Sequence, residues 1–215
     1  MKFLQANALS FACLAAMITT GVFMYPGLPE TLPTQYNFDG VAGNYLPKLA
    51  VVLIAPITYA VTIVGINFMI RFSPQKFSMP NSQRSMDIII FSVGILVLLI
   101  HIGMMVSQGD YAIFQQYFSI GLACCLLLMG NVVGKTERNF FVGIRIPWTI
   151  ASEQNWRATH RVAGRLMVVS GLLLLAISFF SASLLITLGI GLGWTVISVI
   201  YSFLFYLKNE RPTSE

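Results

Sequence analysis

The chain has 215 residues, of which 56% are hydrophobic and 10% charged, with a mean hydropathy of +0.76 and a formal net charge of +5. So little polar side-chain area cannot cover a water-soluble globule of this size, which places the chain in the membrane class. The basic residues lie in short loops between apolar runs, a pattern that suits anionic headgroups and argues against direct nucleic-acid binding.

In chain order, Lys2 precedes an uncharged run from Phe3 to Met24. A secretory signal begins in the same way, but the run is long enough to span a bilayer and more spans follow, so a retained first span over 4–24 is expected. Cys13 has Ser10, not Leu, three residues before it, which weakens a lipoprotein reading. Cys13, Cys124 and Cys125 all fall inside apolar runs, so neither a disulfide framework nor a metal site is indicated.

Residues 25–48 form the first polar segment, YPGLPETLPTQYNFDGVAGNYLPK, with Pro and Gly throughout. It predicts extended pieces joined by a turn near Asp39-Gly40. A second span follows over 49–70, with Pro56 predicting a kink and Asn67 near one end. The basic loop Arg71 to Arg84 leads to a third span, 87–106, which carries His101, and a short link leads to a fourth, 113–133. Leu166 to Leu207 carries no charge. As one helix it would run about 63 Å, twice the ~30 Å hydrocarbon thickness, which predicts two spans, 163–181 and 184–207, turning near Ser181-Ala182-Ser183.

The expected fold is therefore an all-α integral membrane protein, a single membrane domain over 1–215 with six transmembrane helices. With both termini in the cytoplasm, every Lys and Arg except Lys48 falls on the inner side. That orientation makes 25–48 the extracytoplasmic loop and 134–162 a cytoplasmic loop.

The cytoplasmic loop and its continuation, Lys135 to Arg165, hold six of the thirteen Lys and Arg, two of the three Trp and one of the two His. Gly143 permits a turn or close approach, Pro147 stops a preceding helix, and Trp148 suits a headgroup boundary with its N–H wet. Ser152 reads as the cap of a helix whose first residue is Glu153. From there Trp156, His160, Ala163 and Met167 follow one helical stripe, and Arg157, Arg161 and Arg165 an adjacent one. A short interfacial helix lying along the membrane and then turning into the fifth span is expected. The residues alone support three readings. One is an anchor whose arginines meet lipid phosphates. Another is a docking face for a protein or anionic ligand, using the directional donors of Arg145, His160 and Arg161. The third, catalytic, is the weakest, because Glu137 and Glu153 are the nearby carboxylates and neither a nucleophile nor a metal cluster accompanies them.

Asn139-Phe140-Phe141-Val142-Gly143-Ile144-Arg145-Ile146-Pro147-Trp148-Thr149, followed by Trp156-Arg157-Ala158-Thr159-His160-Arg161-Val162-Ala163-Gly164, resembles the signature of the SdpI family of bacterial membrane proteins. The outer loop, with Pro29, Pro33, Asn37, Asp39, Gly40 and Lys48, resembles the extracytoplasmic segment that often accompanies it. Two departures stand out: Gln35 where relatives often have His, and Val132-Val133-Gly134 where they tend to have an aromatic and a Pro, so a different exit from the fourth helix is expected. The resemblance implies immunity to a secreted antibacterial peptide outside, and signalling by holding a transcriptional repressor at the membrane inside. It implies neither a cofactor nor an enzyme. The candidate binding residues on the cytoplasmic side are Asn139, Phe141, Gly143, Arg145, Pro147, Trp148, Trp156, His160 and Arg161. An alternative function is transport or lipid handling through His101 and the cytoplasmic Arg/His/Trp loop, since an ionisable residue inside a span is functional by default. A packing role for His101 is the plainer alternative, because no Asp or Glu lies at its depth. Gly189 and Gly193 suggest a small-residue surface for close helix packing.

Overall fold

A computed structural model describes residues 7–72, 83–139, 142–180 and 183–210. Helix α1 (Ala8–Met24) runs through a single 3-10 turn into a two-stranded hairpin, β1 (Thr31–Pro33) and β2 (Tyr45–Pro47). Then come α2 (Lys48–Arg71), α3 (Gln83–Ser107), α4 (Tyr111–Val133), the short α5 (Pro147–Ala151), α6 (Glu153–Ile177) and α7 (Leu184–Asn209). Among the described residues six of these helices are long and apolar enough to cross a membrane, as the hydropathy predicts. They are the spans of a multi-pass membrane protein. Their outer faces carry side chains no aqueous surface would leave bare: Phe23 is 85% exposed, Val61 65% and Val196 61%. Lys2, Lys76 and Arg211, expected at the cytoplasmic end, lie outside the described residues, as do Ser181 and Ala182 of the expected turn.

The helices form two groups of three. α1 and α2 pack on α3, α7 packs on α6, and the groups meet where α4 lies against α3 on one side and α6 on the other. Cys13, Met17, Tyr59, Ile63 and Ile90 fill the first group, while Ala123, Leu126, Val133, Met167 and Leu174 fill the second. Because lipid tails are as apolar as these side chains, close backbone approach and interhelical hydrogen bonds add the specificity. The Tyr59 hydroxyl donates to the Ile90 carbonyl at 3.0 Å, joining α2 to α3. Gln115 Nε2 donates to Thr187 Oγ1 at 2.7 Å, joining α4 to α7. The backbones of α4 and α6 touch: a Cβ on Gly130 would sit 2.7 Å from the Gly164 carbonyl oxygen, and one on Gly164 equally close to that of Gly130. Gly189 and Gly193 do not share this role, since a Cβ at either would meet nothing within 4 Å. Gly191, between them, takes Leu122 instead.

The hairpin follows the turn chemistry of its sequence. Thr31 pairs with Pro47, Leu32 with Leu46 and Pro33 with Tyr45. The Asn37 side chain accepts from the Asp39 and Val41 amides at 3.0 and 2.8 Å, and Gly40 takes φ +80, closing the turn at Asp39-Gly40. Gln35, in the position where His is frequent, accepts a cross-strand bond from Asn44 Nδ2 at 2.8 Å. Leu32 is fully buried against Leu28, Val51, Val52 and Met105, which seats the hairpin on the ends of α2 and α3. Tyr36 stacks on Phe114 at 4.9 Å, and Gly40 lies under the ring of Tyr111, so the hairpin also touches the start of α4. Asp110 caps that start, accepting from the Ala112 amide at 2.8 Å. Pro29, Asn37 and Asp39 are exposed, while Pro33 is buried.

Pro56 sits inside α2, which continues past it to Arg71. One expectation differs from this architecture. The fifth span does not turn away from a separate helix beginning at Glu153: α6 runs unbroken from Glu153 to Ile177, so the stripes of the central stretch and the span belong to one helix. The reason lies in its interior, which has no proline and whose glycines, Gly164 and Gly171, are held against α4 by packing. The short helix that precedes it, Pro147–Ala151, ends at Ser152.

Candidate functional site

The chain between α4 and α6 folds back onto the start of α6. α4 stops at Gly134, where a Cβ would sit 3.2 Å from the His160 carbonyl oxygen and 3.3 Å from Arg161 Cα. Val132 packs with Met86 and Ile89, and Val133 joins the α4–α6 core, so this exit from the helix is built on the Val-Val-Gly of the chain. Asn139 is buried and bridges the next turn: its Nδ2 donates to the Glu137 carbonyl at 2.7 Å and its Oδ1 accepts from the Val142 amide at 2.8 Å. Gly143 then takes φ +126, and a Cβ there would collide with Nε2 of His160. Phe141 lies outside the described residues.

His160 is the centre of the arrangement. The Ile144 amide donates to its Nε2 at 3.0 Å, so that nitrogen carries a lone pair. Nδ1 therefore bears the proton and donates to the Trp156 carbonyl at 2.8 Å. Its ring stacks on Trp156 with centroids 4.0 Å apart, and Trp156 Nε1 donates to the Thr136 carbonyl at 3.0 Å. Trp156 is 0% exposed and His160 1%. With both ring nitrogens engaged inside the protein, His160 offers no donor to a partner, contrary to the docking role expected of it.

A second polar layer ties this loop to the last helix. Thr149 accepts from the Ile146 amide at 3.1 Å and donates to the Ile144 carbonyl at 2.7 Å, closing the turn ahead of α5. Asn155, fully buried, accepts at Oδ1 from Thr159 and Ser202, each at 2.9 Å, and donates from Nδ2 to the Ser202 carbonyl at 3.2 Å. The Ser152 hydroxyl caps α6, accepting from the Asn155 amide, and itself donates to the Glu210 carboxylate at the end of α7. The Trp148 ring packs on Phe203 at 5.3 Å and Tyr206 at 6.2 Å. Its Nε1 is enclosed without a partner among the described residues, where the sequence predicts a wet N–H.

The charged residues form the rim. Arg138 donates to the Ile150 and Ala151 carbonyls at 2.8 and 3.2 Å, satisfying the end of α5, and approaches Glu153 at 3.8 Å. Arg157 pairs with Glu153 at 2.9 Å. Arg145, Pro147 and Arg161 are exposed beside them. The expected residues thus divide into a buried scaffold of Asn139, Trp156 and His160, with Gly143 pressed against it, and an exposed rim of Arg145 and Arg161. Thr136, Thr149, Asn155, Ser202 and Glu210 belong to the same site and escape sequence reasoning. The i,i+4 spacing of Asn155 and Thr159 marks a polar face on α6, but Ser202 and Glu210 are remote in sequence and carry no local signal. Among the described residues no group of three His, Cys, Asp or Glu is placed to hold a metal ion.

His101 is elsewhere. It lies six residues before the end of α3 that bears the hairpin, between α1 and α3, with Nε2 3.2 Å from the Met17 carbonyl and Gly21 beside the ring. The structure does not bring it to the signature.

Residues 135–202 match the SdpI/YfhL protein family, and residues 12–59 match a domain of unknown function, DUF1648. The Immunity protein SdpI of Bacillus subtilis is 24% identical over 212 residues, covering 95% of this chain and 98% of its own length. The chain carries a region similar to the SdpI/YfhL family. Within the chain, the family match spans the entire His160 scaffold, α6 and most of α7, while the DUF1648 match spans most of α1, the hairpin and the first half of α2. No solved structure matches the chain.

Proposed function

We propose that this chain is an SdpI-family protein and protects its cell against a secreted antibacterial peptide. The hairpin face is outside, and the signature face is in the cytoplasm, where it holds a transcriptional repressor at the membrane. The full-length similarity to a protein named for immunity carries the reading, because it takes in the hairpin and the signature together. Charge supports the orientation: among the described residues every Lys and Arg except Lys48 lies at the signature end of the helices. Lys48 is occupied on the hairpin, 3.0 Å from Glu30. The rim around Arg145 and Arg161 suits an acidic protein surface, and the buried scaffold gives that rim a fixed shape. The transport reading has less behind it, since His101 is packed against Met17 and Gly21, away from the cytoplasmic cluster.

Survival of cells exposed to a panel of membrane-active antibacterial peptides tests the proposal. Deleting the gene should sensitise cells to at least one peptide and re-expression should restore protection. Arg145→Ala at matched membrane levels should keep protection while losing repressor capture. Unchanged survival of the deletion against every peptide would remove the immunity reading.

A further inference from the structure

Where α4 and α6 cross, their glycines leave a groove of about 580 Å³ open at the signature end. Three cations line it: Lys135 just past α4, and Arg161 and Arg165 on α6. Asn131 adds an amide, its Nδ2 already donating to the Leu127 carbonyl at 2.6 Å, and Val168 and Val169 form the inner wall. No carboxylate lines the groove, and among the described residues none lies within ion-pair distance of these three cations. Arg157, on the same stripe, is different: Glu153 holds it. Arg161 Nε donates to the Arg157 carbonyl at 3.2 Å, which fixes its stem.

Depth orders these groups. At a rise of about 1.5 Å per residue, Arg165 lies about 6 Å further along α6 than Arg161, and Val168 and Val169 one turn beyond. A guanidinium carried toward hydrocarbon needs an anion at its own depth. The groove thus presents positive charge at its mouth and an apolar wall behind it, the same order as phosphate and acyl chain in a lipid. We propose that it is a binding site for one anionic phospholipid, with Arg161, Arg165 and Lys135 on the phosphate and an acyl chain along Val168 and Val169. Free inorganic phosphate would satisfy the charge but leave the valines bare. The bound lipid bridges α4 and α6 where their glycine backbones cross, and it does so beside the His160 carbonyl that Gly134 contacts. Lipid occupancy therefore sets the helix spacing under the signature. This holds whether or not the immunity reading does.

Native mass spectrometry of the full chain in a neutral detergent, titrated with phosphatidylglycerol, phosphatidylcholine or sodium phosphate, tests the site. One phosphatidylglycerol should bind at least tenfold more tightly than phosphatidylcholine and raise the melting temperature, with no effect of phosphate. The Arg161→Gln, Arg165→Gln double variant should lose that preference, and Arg157→Gln should keep it. If the double variant does not fold, Lys135→Gln alone should weaken phosphatidylglycerol binding at least threefold. Equal binding of the two lipids, an undiminished preference in the variants, or equal stabilisation by phosphate would overturn the proposal.

Discussion

At the scale of single residues, His160 commits both ring nitrogens in opposite senses, accepting from Ile144 and donating to Trp156, so only the neutral ring with its proton on Nδ1 fits. His160→Phe keeps the stack on Trp156 but leaves the Ile144 amide without an acceptor, at a cost of about 1–3 kcal/mol. Hydrogen exchange checks this: the Ile144 amide should be protected in the native chain and exchange freely in the variant. Gly143→Ala acts on the same contact from the other side, because φ +126 is strained for any side chain and the new methyl meets the imidazole. It should destabilise by about 1–3 kcal/mol, read as a lower melting temperature in detergent. Both residues stand out in the sequence as members of a recognisable signature, yet their roles do not. A histidine among arginines reads as one more surface cation until the fold shows it buried, since burial depends on which neighbours cover it.

At the scale of elements, the α4–α6 crossing is the closest helix contact described above. Gly164→Val places methyl groups against the Gly130 backbone and should cost about 1–3 kcal/mol, or prevent insertion. Gly189→Ala and Gly193→Ala meet open space and should raise stability by up to about 1 kcal/mol each through helix propensity. Equal losses at the two sets, measured by thermal unfolding, would contradict the assignment of the crossing. The spans are legible in the sequence because a ~30 Å slab imposes one length on every apolar run. The choice among glycines is not, since Gly130-Asn-Val-Val-Gly134 and Gly189-Ile-Gly-Leu-Gly193 look alike until a partner helix is known. The hairpin is legible for a local reason, as Asn37, Asp39 and Gly40 determine their own turn.

At the scale of the whole molecule, α4 touches the hairpin through Tyr111 and Phe114 at one end and the signature through Gly134 at the other. Its 23 residues make a rod about 34 Å long. Orientation is a property of this scale and has a direct check. A cysteine replacing Asp39 should react with a membrane-impermeant maleimide in intact cells, and one replacing Gln154 only after permeabilisation; the reverse order would invert the topology. The native Cys13, Cys124 and Cys125 sit within spans and give a low background. The two family matches fall in different helix groups, and the seam between them, α3 with α4, is covered by neither. One short link, Ser107 to Asp110, joins the groups along the chain. Dividing the chain at that link should therefore give two fragments, 1–108 and 109–215, that when co-expressed find each other in the bilayer and reconstitute the whole, as two modules that share a wall.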